Sequence, residues 1–476
     1  MPTDTHAPVG YPIAWCAMSG QPGPDELADG RQADKRPAGG PGSTGALDVA
    51  RQRRDLIGWL ALAAVGLLTT WLAVRGGARL GTASAPFLGS YRLEISPMSL
   101  VAPMVAAVVV AAAWRGWLSR APWWLVSLGS AVGLFGWAVG LALVDGVGGL
   151  TRSLTADSYL GDVTDVGDDP LGYLRSFTSR TDEHTTATRG HPPAPVLLLW
   201  LAQRIGIIDH VWLGLAVTAF GALTAPLVLA ALRDVCGEAE ARSYAPVLML
   251  APYAVWLAVS MDAVVATIAA SMMLAGVRAT RRHGWQAACW ALLAGLLLGV
   301  ASLFSYSVGW LGLSIVCLYF ARRRAALNLF TGLGVLAPVL AAASLGFGWT
   351  DGLATAYADF NQRIEPHRSA AWWSLISLVA LLIAAGPPLA ASVRKLRNTP
   401  AWPFLVGSVA AVLFSIGAGL ARGGVEHAWL TYFPWLTIAA AAPDRPGGPP
   451  VGTPLLLVAG GALTAMVIEA VLATPW

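Results

Sequence analysis

The chain is poor in charge. Only 12% of its 476 residues are Asp, Glu, Lys or Arg, about half the share found in an ordinary soluble domain, so a water-facing globular surface is excluded for most of its length. Cysteine is scarce too. Cys16, Cys236, Cys289 and Cys317 fall in a tail, a short loop and two apolar blocks, with neither metal-type spacing nor a disulfide framework, and read as packing residues. The two halves share no self-similarity, which argues against a secondary transporter built from repeats. The first apolar block, which follows Arg51–Arg54, is expected to be a signal anchor rather than a cleavable leader.

What the chain does hold is apolar residues, 56% of the total, in blocks of about twenty, the length that spans a bilayer. Residues 1–50, with "SGQPGPDELADG" and "KRPAGGPGSTG", lack apolar periodicity and read as a disordered cytoplasmic tail. Six basic clusters fix orientation by the excess of Lys and Arg on the cytoplasmic side: Arg51–Arg54, Arg115 with Arg120, Arg233 with Arg242, Arg278–Arg282, Arg322–Arg324 and Arg394–Arg397. Spans are then predicted at 56–75, 97–114, 123–144, 211–232, 245–260, 262–279, 285–303, 305–321, 327–347, 371–391, 402–421, 428–442 and 453–473. The fold class is an all-α polytopic membrane protein of about thirteen transmembrane helices, N-terminus cytoplasmic and C-terminus outside, in the cell membrane. It divides into the tail 1–50, three spans in 51–144, an outer loop 145–210, and the remaining helices in 211–476. The formal charge of +4 matters less than its sidedness, and no nucleic-acid partner is implied.

The segment "TRGHPPAPVLLLWLAQRIG", 188–206, is apolar but too short to span. Were it to cross, Arg233 and Arg242 would lie outside. It is expected to rest on the outer surface, with Pro192 and Pro193 suiting a helix start and holding His191 at a corner. The outer loop before it carries Asp145, Asp157, Asp162, Asp165, Asp168, Asp169, Asp182 and Glu183, eight of the chain's 27 acids. Apolar positions recur through it at helical spacing (Tyr159, Leu160, Val163, Val166, then Leu171, Tyr173, Leu174, Phe177), so short amphipathic helices are expected there.

This order of features resembles the GT-C superfamily of membrane glycosyltransferases: a long acidic outer loop after early spans, a His-Pro-Pro surface helix closing it, and Asp262 at an outer turn in "APYAVWLAVSMDAVVA". The stretches "DSYLGDVTDVGDDPLGYLRSF", "RGHPPAPVLLLW", "LLLGVASLFSYS" and "GGVEHAWLTYFPWL" are similar to an actinobacterial group of GT-C-like integral membrane proteins, over about residues 123–443. Two departures stand out. Ser305-Tyr306-Ser307 replaces an S-Y-G pattern, and Val425-Glu426-His427-Ala428-Trp429 places a histidine where related sequences carry arginine after the glutamate. Two spans before Asp145 are also additional to the minimal superfamily core.

The resemblance implies transfer of a sugar from a polyprenyl-phosphate donor to a cell-envelope glycan or lipid acceptor at the outer face of the lipid bilayer. Such a transfer needs a base, cations or a metal for the departing phosphate, and a lipid groove. The superfamily's position for its acid leaves Asp145 and Asp157 as catalytic candidates, each equally open to a solvated or helix-capping role. Substrate-binding candidates are Tyr159, Arg189, His191, Asp262, Arg363, Glu426 and His427. Asp262 is either a turn-forming residue or an acid facing a cavity. Arg368 and Arg422 share the outer side with Arg189 and Arg363, where guanidinium suits phosphate. His184, His191, His210, His367 and His427 are outer histidines, and a divalent metal is compatible with them, although no spacing singles out a site and no cofactor is fixed. A non-catalytic membrane scaffold and a secondary transporter are the alternative classes.

Overall fold

The computed structural model describes residues 41–155 and 157–474, with side chains from residue 48 onward. Most of the expected tail, residues 1–40, lies outside the described residues. Val49–Trp476 forms one compact unit. It is built of helices, and among the described residues the strands are two short ones, β1 (Ser90–Tyr91) and β2 (Leu472–Ala473), paired antiparallel.

Among the described residues, seven helices are long and apolar enough to cross a membrane: Asp48–Arg75, Pro97–Trp114, Trp123–Leu150, His210–Cys236, Met261–Arg281, Gly284–Ser302 and Leu327–Ser344. An eighth arises if Trp349–His367 and Ala370–Ala385, bent by 97°, are taken together, and Tyr306–Ala321, Trp402–Gly417 and Leu455–Val471 are shorter apolar helices. Met261–Arg281 is central, with 78% of its apolar window buried, whereas Asp48–Arg75, Pro97–Trp114 and Leu327–Ser344 are peripheral at 17–22%. The peripheral helices turn Leu60, Leu62, Val65, Leu68, Met104 and Val108 outward, each more than half exposed. Such a belt is a liability in water and the expected surface in lipid.

Two deeply buried stretches are broken rather than helical throughout. Glu238–Met249 ends at Leu250, Pro252–Trp256 forms one 3₁₀ turn, and Val259 turns the chain with φ 59° into Met261. The second breaks into Val425–Ala428, Phe433–Leu436 and Ile438–Ala441. Broken backbone away from water must be satisfied by the surrounding protein. The Tyr244 hydroxyl donates to the Pro434 carbonyl at 2.6 Å, the Trp137 indole to Ala251 at 3.0 Å and the Ser392 hydroxyl to Leu436 at 2.7 Å. Tyr253 and Phe433 stack between the two stretches at 5.4 Å.

The six basic clusters meet at one end of the bundle. Arg51 pairs with Asp444 at 2.5 Å, and Arg394 with both Asp444 and Asp55. Thr399 contacts Glu240 and Cys236, Arg242 donates to Leu118 and Ala121 on either side of Arg120, Arg281 pairs with Asp234, and Arg324 donates to Thr280 and Arg282. The opposite end carries the β1–β2 pair and the acidic loop.

Helices Gly284–Ser302 and Leu327–Ser344 pack backbone to backbone through a G-x-x-x-G pattern, Gly295 and Gly299. A Cβ on Gly295 would stand 1.9 Å from the Thr331 carbonyl oxygen, and one on Gly334 2.2 Å from that of Leu292. Small residues permit such approach in membrane helices. Gly295→Val is expected to cost about 1–3 kcal/mol, the range for overpacking, because backbone cannot step aside; unfolding of the detergent-solubilised protein checks it, and unchanged stability would show that this contact is slack.

Candidate functional site

The acidic loop folds into short helices: Val163–Val166, Pro170–Ser176, Thr186–Arg189 and Ala194–Arg204, with a 3₁₀ turn at Thr181–Glu183. They close over their own apolar cluster of Leu154, Val163, Val166, Tyr173, Phe177, Val196 and Leu199, seated on Val259, Met261 and Phe347. Of the apolar positions at helical spacing, Leu171 alone turns outward, 41% exposed. The His-Pro-Pro helix stays within this end. Its first amide, Ala194, donates to Leu303, and Trp200 and Arg204 near its other end donate to Gly167. Pro193 is its N-cap and Pro195 lies in its first turn, where a missing N–H costs nothing.

Beneath the loop, Asp262 is the second residue of the central helix, its amide bonded to the Ser260 hydroxyl of the N-cap. A helix N-terminus favours a carboxylate. The strained turn at Val259 lifts it to the edge of the loop's apolar cluster, where its Oδ2 lies 3.1 Å from Nδ1 of His427. In the neutral imidazole that geometry puts the proton on Nδ1 and the lone pair on Nε2. Tyr159 of the loop lies above: burial first, and the Asp262 carboxylate second, push its hydroxyl pKa well up, so the phenol stays a donor. Its ring meets that of His191 edge to face at 5.6 Å, and His191 Nδ1 donates to the Ala187 carbonyl at 2.8 Å. Glu426, adjacent to His427, is fully buried. Its Oε1 accepts from the Leu88 amide at 3.3 Å, and no described residue hydrogen-bonds Oε2.

The structure thus brings together Tyr159, His191, Asp262, Glu426 and His427, and places the other candidates elsewhere. Asp145 sits at the kinked end of Trp123–Leu150, its side chain 7% exposed, between Arg92 and Arg152. Its Oδ1 accepts from the Arg92 guanidinium and its Oδ2 lies against that of Arg152. Burial lowers the Arg152 pKa while buried Glu469 opposes that shift. Beside this cluster an apolar groove of about 170 Å³ runs between Ile95, Ala102, Leu141, Val144 and Met466. Asp157 is exposed and makes no ion pair or hydrogen bond with the described residues.

Arg189 and Arg363 converge on Asp359, at 3.6 and 2.7 Å, and Arg363 also pairs with Asp182. Arg422 donates to Gly419, Glu365 and Arg368. Arg368 is different: its guanidinium donates to the Arg422 carbonyl alone among the described groups and feels the charge of Glu426. Sequence reasoning passed over Asp359, Tyr432, whose hydroxyl donates to Ser307 at 2.7 Å, and the Leu88 amide. Of these, only the i,i+4 spacing of Asp359 and Arg363 left a signal.

Fold and site together define a polytopic α-helical membrane protein with an Asp–His pair under a capped polar end. No family model, no curated protein and no solved structure matches the chain.

Proposed function

We propose that the protein is a membrane glycosyltransferase of the GT-C type, moving a sugar from a polyprenyl-phosphate donor to a cell-envelope acceptor on the outer face. The observation that carries the reading is the Asp262–His427 pair, 3.1 Å apart, beneath Tyr159 and His191. In an inverting displacement the acceptor oxygen bonds to the sugar C1 and its proton passes to the base. The C1–O bond to phosphate breaks, and polyprenyl phosphate leaves with the electron pair. An imidazole oriented by a carboxylate is suited to that proton. Of the four outer arginines Arg189, Arg363, Arg368 and Arg422, Arg368 is the least committed; in this reading it would face phosphate, and the groove beside Val144 would receive part of the prenyl chain. The test is a comparison of envelope glycans from a host lacking the protein with those of the host carrying wild type or Asp262→Asn. Restoration by both would sink the reading.

In this proposal the chain crosses the membrane thirteen times, tail inside and C-terminus outside. Since Arg281 pairs with Asp234, the helices ending in Cys236 and Arg281 finish at the same end, so residues 238–260 must carry the chain back. Twelve helical and five 3₁₀ residues reach about 28 Å, close to the hydrocarbon thickness. Residues 425–442 return in the same broken manner toward Asp444. A reporter active only in the cytoplasm is therefore expected to be silent when fused after Ile207 and active after Arg242. The reverse pattern would mean that the His-Pro-Pro segment crosses.

A further inference from the structure

The loop holds a second cluster, separate from the Asp–His pair and unused by the proposed transfer. Asp162, Asp165 and His184 each offer a ligand atom within 4.8 Å of the others. His184 is 3% exposed, its ring stacked on Phe177 at 4.8 Å and edge-on to Tyr173 at 5.9 Å. Nε2–H donates to the Phe177 carbonyl at 3.2 Å, which leaves the lone pair on Nδ1. No described residue hydrogen-bonds that buried nitrogen. The Tyr173 hydroxyl, on a side chain also 3% exposed, is likewise without a hydrogen-bond partner among the described residues, and the charges of both Asp162 and Asp165 act on it. Two polar side chains more than nine-tenths buried therefore meet at the same carboxylates.

We infer that Asp162, Asp165 and His184 bind a divalent first-row metal ion of the Zn²⁺ or Mn²⁺ type. Two carboxylate oxygens with one imidazole nitrogen suit such ions, whereas Ca²⁺ and Mg²⁺ take oxygen sets. The outer contacts match those that orient metal ligands. His184 gives its other N–H to a backbone carbonyl, and Asp162 is held by the Thr185 amide at 3.1 Å and its hydroxyl at 2.9 Å. Ligands about 2.0–2.2 Å from an ion lie closer together than 4.8 Å, and the Asp165 side chain, 33% exposed, has room to swing inward. Arg180 stands 3.8 Å from Asp165 and is more closely bound to Glu183, at 2.7 Å, so it is the competitor the ion displaces. The ion would tie residue 162 to residue 184 and so fix the loop between Tyr159 and His191. This inference does not rest on the glycosyltransferase reading.

The test uses full-length protein in detergent, stripped with EDTA and titrated with Zn²⁺ and Mn²⁺ by calorimetry, alongside limited proteolysis of the loop. One ion per chain is expected, with slower cleavage between residues 162 and 190 on binding. Asp165→Asn, at an exposed position that leaves the fold intact, and His184→Gln are each expected to weaken binding about 10-fold or more. Asp168→Asn, three residues on and paired with Arg204, is expected to bind as wild type does. No binding at millimolar ion, or equal affinity in Asp165→Asn and wild type, would overturn the site.

Discussion

Asp262→Asn is expected to lower sugar transfer by about 10²–10⁴-fold, the usual contribution of the base whose imidazole it orients, while the protein is made in normal amounts and elutes as wild type does. The carboxylate is 18% exposed and its contact with His427 is the one hydrogen bond its side chain makes to a described group. An amide of the same shape therefore keeps the packing and loses the charge that orients the imidazole. His427→Gln should cost a similar factor. Because the two act as one unit, the double variant is expected to be no worse than the poorer single one, the non-additivity seen when linked catalytic groups are removed together. Multiplied losses would mean that the two residues serve separate steps. Asp157→Asn, exposed and unpaired, should transfer at the wild-type rate, and a loss there would move the base into the loop.

How far the sequence reveals this arrangement depends on what each signal measures. Apolar blocks report burial in lipid or protein, so the long helices, including Met261–Arg281 and Gly284–Ser302, were legible at nearly the expected bounds. Hydropathy does not report backbone geometry. The stretches 245–260 and 428–442 look like spans by composition, yet they are broken where Tyr244, Trp137 and Ser392 take over the backbone's hydrogen bonds. Pro246, Pro252 and Pro434 hinted at this, but a proline alone does not distinguish a kink from a break. The basic clusters were legible as a set, since charge excluded from lipid must gather at the ends.

The candidate site was legible as residue types and not as a constellation. Asp262 interrupts an apolar block and His427 interrupts a motif, but 165 residues separate them, and no local period encodes their meeting. His191 was marked by its two prolines; that its ring would lie against Tyr159 was not, because the loop's path depends on the apolar cluster around Tyr173 and Phe177. Arg189 and Arg363 were read as phosphate ligands on charge alone, and Asp359 between them shows why charge alone is weak grounds at a crowded surface.

Asp145 carries the other large effect, expected in stability rather than in chemistry. Arg92 and Arg152 both reach its carboxylate, and Glu469 is the further acid acting on Arg152. Asp145→Asn removes the negative charge between two guanidiniums, and breaking a buried pair in this way costs about 3–5 kcal/mol. The expectation here is lower, up to about 3 kcal/mol, because the Arg92 side chain is 37% exposed and partly screened by solvent. A second change separates this role from catalysis. Arg152→Gln added to Asp145→Asn takes away the more buried of the two cations and leaves Arg92 to face Glu469, so the double variant should recover most of the lost stability, and with it the transfer lost through unfolding. Denaturation in detergent and glycan transfer, measured on wild type, the single variant and the double variant, give the two readouts. Were Asp145 the base, the double variant would be stable and still inactive, and the reaction would have to be placed beside Val144 rather than at the Asp262–His427 pair.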